Sequence, residues 1–193
     1  MQLVLAGQVV GCTGLSAGSA SCRWRLVASE QWRLVAGPEG WQTSQSDCPS
    51  EPGGLFVFNH PVEACFEADG QPAEHEWPHI EIEVRSRDEY QRSDVGGYAV
   101  VHVPNSPGMH ELASSLWRPQ SSMLQSVAAF FYGGRPQLKD ETLIYGIGQG
   151  AEGAKTQRLE RGMGRQRLNT VPCGRIHLNI GTCIRVSDSN ASR

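Results

Sequence analysis

The sequence has little that would send it out of a cell, into a bilayer or onto a metal staple. No stretch approaches the roughly 20 apolar residues that a membrane span requires. The chain opens on a strand-like run and not on a basic leader with a long apolar core and a cleavage site. Six cysteines (Cys12, Cys22, Cys48, Cys65, Cys173 and Cys183) are scattered without one CxxC pair. The expectation is a soluble intracellular protein with reduced thiols, for which the glycosylation sequon Asn190-Ala191-Ser192 has no use. An excess of base is missing as well. A formal net charge of −3 over 193 residues is not that of a nucleic-acid binder. There is no G-x-S-x-G nucleophile elbow and no internal repeat.

What is present is alternation. Leu3–Val10 is aliphatic at most positions, as in a strand covered on both faces. Cys22, Trp24 and Leu26 alternate with Arg23 and Arg25, and Trp32 and Leu34 flank Arg33. Phe56 and Phe58 precede an expected break at His60-Pro61, after which Val62, Ala64 and Phe66 continue. Ile80, Ile82 and Val84 interleave with Glu81, Glu83 and Arg85, so one face is apolar and the other wet. Tyr98–Val103 follows, and Ile176, Leu178, Ile180, Ile184 and Val186 share one parity near the end. Glycine and proline turns separate these runs, which is the pattern of an all-β antiparallel sandwich with about seven to nine strands. A length of 193 residues suits a single domain, placed at residues 1–188, with 189–193 a short tail. One short helix is expected, capped by Ser121 or Ser122, with Met123, Leu124, Val127, Ala128 and Phe131 on one face and Gly133-Gly134 stopping it. Residues 146–167 read as a long Gly-rich, basic loop.

Charge is uneven. Asn59–Asp94 holds ten acids and three arginines, and Glu152–Arg167 five bases and two acids. Both runs read first as solvated surface.

Three strings imitate catalytic motifs. His75-Glu76-Trp77-Pro78-His79 spells H-E-x-x-H, but a zinc site of that kind needs a helix to bring both imidazoles to one ion. Pro78 would break that helix, so the Trp-Pro step reads as the entry to a strand. Gly148-Gln149-Gly150-Ala151-Glu152-Gly153 spells the dinucleotide fingerprint, yet no amphipathic helix follows and no acid lies about twenty residues on. The same segment misses a P-loop because Ala154 puts Lys155 out of register. His60, His102, His110 and His177 stand alone, the usual state of a structural histidine. The five tryptophans, Trp24, Trp32, Trp41, Trp77 and Trp117, read as core plugs. No catalytic, cofactor or metal site is expected.

Several ordered pieces then resemble the B9-domain family: Gly7-Gln8-Val9-Val10-Gly11, Cys22-Arg23-Trp24, Asn59-His60-Pro61-Val62, Trp77-Pro78-His79-Ile80, Gly97-Tyr98-Ala99, and His102 through Gly108. Leu116-Trp117-Arg118-Pro119, Phe130–Pro136 and Ile176-His177-Leu178 extend the match over almost the whole chain. The resemblance implies a C2-type sandwich without enzymatic activity, a subunit of the Meckel-syndrome (tectonic-like) complex at the ciliary transition zone and basal body. There the family supports cilium assembly and the diffusion barrier for membrane proteins. Implied partners are B9 domain-containing protein 1 and the Meckel syndrome type 1 protein. The loop at 146–167 is longer and more basic than the family leads one to expect. Where relatives of the fold hold calcium, only Asp88 and Asp94 stand out, with Gln91 where glycine is common; Ca²⁺ takes six to eight oxygens, so no calcium switch is expected. The alternative function is calcium-independent binding to an anionic membrane surface through the basic loop.

Overall fold

A computed structural model describes residues 1–47, 54–87, 92–119 and 170–186. Ten strands fill them: β1 Gln2–Thr13, β2 Ser19–Val27, β3 Trp32–Ala36, β4 Gly40–Gln42, β5 Ser46–Asp47, β6 Phe56–Ala68, β7 His79–Arg87, β8 Ser93–His102, β9 Gly108–Pro119 and β10 Thr170–Arg185. They run in the order β3-β6-β1-β10-β9-β8-β7-β2-β4, with β5 also on β2, and every pairing is antiparallel. The seam between β8 and β9 is narrow, with Tyr98 opposite Trp117 as the paired residues. Either side of it lie two layers. Leu3, Leu5, Phe66 and Leu178 from one and Trp24, Leu26, Ile80 and Ile82 from the other belong to a single buried cluster. This is the expected antiparallel β-sandwich. The expected helix at 121–131 and loop at 146–167 lie outside the described residues.

Four local readings need correction. β1 is not covered on both faces: Leu3 and Leu5 are buried while Val4 and Ala6 point to solvent. β6 does not break at His60-Pro61. It runs on through a bulge at Asn59, whose φ of 43° lies in the left-handed region, opposite the register shift between Val9 and Gly11. Pro61 is tolerated there because β3 pairs only with Cys65–Ala68, which leaves β6 an edge strand at Pro61 among the described residues. Glu81 is 5% exposed although it points away from the sandwich core. Finally, β4, β5 and β9 were not foreseen. The inward positions of β9 are His110, Leu112, Ser114 and Leu116, which give no clear period-two hydrophobic signal.

The family-like segments have structural duties. At Gly7 an added Cβ would run into the Asn179 carbonyl oxygen, and at Gly11 into that of Phe56. These two glycines let β10 and β6 close on either side of β1. Trp77, just before Pro78, is extended (φ −63°, ψ 143°), as a residue preceding proline must be. Its ring meets Trp32 edge-on at 5.0 Å, and Trp32 meets Phe66 at 6.3 Å, so the Trp-Pro step pins β3 to the core. Tyr98 and Trp117 touch at 5.5 Å and, with Val95 and Val100, form a small second cluster at the seam.

Candidate docking edge

The zinc-protease string does not lie on one helix. Glu74–Glu76 is a three-residue 3-10 turn, and His79 already belongs to β7, so the two histidines share no helix face. Glu76, which would have to be the general base, is committed elsewhere: its Oε2 accepts from the Ala73 amide at 3.0 Å and its Oε1 from Gln31 Nε2 at 2.8 Å. Among the described residues no group of three or more histidine, cysteine or acidic side chains is placed to hold a metal ion. Asp94 accepts from the amide of Val95 at 2.8 Å, while Asp88, Gln91, the glycine fingerprint at 148–153 and the basic loop lie outside the described residues.

The isolated histidines are engaged in local structure. His177 Nε2 lies 3.2 Å from Thr13 Oγ1, His110 Nε2 lies 3.0 Å from the Ser106 carbonyl, and the His60 ring packs 6.2 Å from Trp24. Burial holds His60 below the ordinary histidine value. His102 is lowered too, by burial first and then by the neighbouring His79. On β7, burial alone would raise Glu81, but the His79 ring, with Nε2 3.8 Å from Oε1, and the hydrogen-bonded Arg25 guanidinium outweigh it and hold the carboxylate below its ordinary value. Arg25 donates to Glu81 Oε2 through Nε at 3.2 Å and through Nη2 at 2.5 Å. The two buried thiols, Cys12 and Cys22, are not poised for chemistry. Burial, with a contribution from Cys173, pushes Cys12 up to about 12, and burial raises Cys22 further, where a thiolate is too scarce to attack. Cys12, Cys22, Cys65 and Cys183 form no disulfide among the described residues.

What stands out is the edge left open among the described residues where the sheet order ends, at β3 on one layer and β4 on the other. The two are consecutive in the chain, and Gly37, at φ 99°, turns between them. β4 is held to β2 by Leu26 N–H donating to the Glu39 carbonyl at 2.7 Å and by Thr43 N–H donating to the Cys22 carbonyl at 2.8 Å. Thr43 Oγ1 also accepts from the Cys22 amide at 2.9 Å. In an antiparallel ladder these bonds alternate, so Trp41 turns its main chain toward β2 while Gly40 and Gln42 turn theirs outward. Trp24 and Trp41 are register partners with opposite fates: Trp24 is 1% exposed and Trp41 60%. Arg23, Arg25, Glu39, Trp41 and Gln42 line a 440 Å³ depression at this edge.

A strand edge unpaired among the described residues, with an exposed tryptophan beside arginines, is what a partner strand can use. The backbone groups set the pairing, and the indole anchors it. Reading all five tryptophans as core plugs missed Trp41. The signal was its setting, Gly40-Trp41-Gln42-Thr43, which has no apolar neighbour at the alternating positions.

Comparison with known proteins bears on what that edge meets. The B9-C2 family model, described as ciliary basal body-associated B9 protein, matches residues 3–183. B9 domain-containing protein 2 of Rattus norvegicus is 35% identical over 182 residues, covering 94% of this chain and 93% of that protein. The protein of the same name from Danio rerio is 32% identical over 187 residues, 97% and 95%. B9 domain-containing protein 1 of Mus musculus is 28% identical over 151 residues, 78% and 72%. Among solved structures, a C2 domain of plant extended synaptotagmin 1 aligns over 96% of each chain at 10% identity with a TM-score of 0.42.

Proposed function

This chain belongs to the B9-C2 family, and on that premise we propose that it is a non-enzymatic structural subunit of the ciliary transition-zone complex. In this reading it supports cilium assembly and the membrane-protein diffusion barrier by holding B9 domain-containing protein 1 and the Meckel syndrome type 1 protein. It acts on the cytoplasmic side of the cilium base, at the transition zone and basal body. The observation that carries the reading is the β3–β4 edge, where the outward backbone of Gly40 and Gln42 flanks an exposed Trp41. Domains of one fold can join there by strand addition.

Co-purification tests it. The chain should retain each of the two partners at micromolar concentration, and should still do so with residues 146–167 deleted. A monodisperse monomer that ignores both partners sinks the proposal.

A further inference from the structure

We propose that the outer face of the β6-β1-β10-β9 layer is a second interface, on which a second copy of this chain packs sheet against sheet. This surface is distinct from the β3–β4 edge, and the two stand or fall separately.

Register places the residues. Cys65, Val4 and Cys183 form one row across β6, β1 and β10, and Glu63, Ala6, Gly181 and Met109 the next row across β6, β1, β10 and β9. All seven point away from the core. Val4 is 39% exposed and Met109 76%. Two adjacent rows in the middle of a sheet face are therefore apolar or small, with Glu63 as their one charge. Solvated sheet faces are normally polar, and a contiguous apolar patch rimmed by charge marks an interaction surface.

The rim says what fits. The row on one side of the strip is Glu67, Gln2 and Arg185, and the row on the other side is Pro61, Gln8, Asn179 and Glu111. Glu67 is already paired with Arg33 at 3.1 Å. Arg185, Glu63 and Glu111 have no ion pair among the described residues.

A two-fold axis lying in the face, across the strands at the level of Thr182, exchanges the two apolar rows. Val4 then faces Ala6 of the other copy, and Cys183 faces Gly181. The same rotation carries Arg185 over the Asn179–Glu111 row of the second molecule, so unpaired opposite charges meet twice. The face is self-complementary in both shape and sign, as an isologous contact has to be. Four strands about 4.8 Å apart and four rows about 7 Å apart give roughly 500 Å² per copy. About 1,000 Å² in total belongs to reversible, micromolar contacts, not to permanent dimers.

The test is sedimentation equilibrium on the full chain from about 1 to about 200 µM, the range in which a contact of this size titrates. The expected mass rises with concentration from 21.1 kDa toward twice that value. Val4→Lys and Met109→Glu should each weaken the association roughly tenfold or more at unchanged melting temperature. Arg185→Glu and Glu111→Arg should each weaken it as well, and the two together should restore it. All four side chains lie on the surface, so the charge reversals test the contact and not the fold. A monomer at every concentration overturns the proposal. So does a dimer indifferent to Val4→Lys and Met109→Glu, or a doubly reversed protein that stays weak. If the chain is monomeric alone but Val4→Lys abolishes capture of B9 domain-containing protein 1, the face belongs to that partner; this overturns the second-copy interface and leaves the transition-zone reading intact.

Discussion

Glu81 is a carboxylate buried on the side of β7 that faces away from the core, held there by Arg25 and His79. Its folded value lies below the ordinary one. The stability it contributes is therefore complete above pH 4.5, the reference value, and is lost as pH falls through the depressed folded value. His60 and His102 act higher on the scale. Both are lowered from 6.5, so the unfolded chain takes up protons first and stability begins to fall as pH drops through 6.5. Chemical denaturation should show its midpoint declining in two stages, one starting near pH 6.5 and one near pH 4.5. Glu81→Gln should remove the second stage and cost about 1–3 kcal/mol at neutral pH, because Arg25 loses its buried acceptor; an unchanged acid limb would refute the assignment. Gly7 allows less room for change. Any side chain there meets the main chain of Asn179, which cannot swing aside, so Gly7→Val should leave little folded protein at 37 °C by circular dichroism.

Among the elements, the sandwich was legible wherever a strand buried one clean parity, as in β7 with Ile80, Ile82 and Val84. It was illegible where tertiary position replaced hydrophobicity. β9 is held between β10 and β8 with a mixed inward face, and β4 has three residues and one anchor. A bulge at Asn59 kept β6 continuous where His60-Pro61 read as a break, because a left-handed residue in the bulge is compatible with pairing on both sides of it. The candidate edge was foreseen as a principle but not as a place, since Trp41 declares itself only once Trp24 is seen to occupy the core. β3 depends on aromatic packing. Trp32→Ala should cost about 3–5 kcal/mol and raise amide exchange across Trp32–Ala36 and their β6 partners before other strands. At β4, Gln42→Pro removes an outward N–H without touching the bonds from Leu26 N–H to the Glu39 carbonyl and from Thr43 N–H to the Cys22 carbonyl. It should lower capture of B9 domain-containing protein 1 about tenfold or more at unchanged melting temperature, as should Trp41→Asp. Equal capture by both variants would move the interface away from this edge.

For the whole molecule, the governing fact is that β1 lies between β6 and β10, with Gln2 opposite Arg185 on one side and Glu67 on the other. Such distant pairing puts refolding in the slow class, on the order of milliseconds to seconds, and stopped-flow tryptophan fluorescence should find it there. On the ribosome the consequence is sharper. β1 cannot find its second neighbour until the chain has been made as far as β10, a delay of roughly ten seconds or more at usual elongation rates. Through that interval one border of β1 stays open to stray chains, so the nascent polypeptide needs either a chaperone or a cotranslational escort to stay unaggregated.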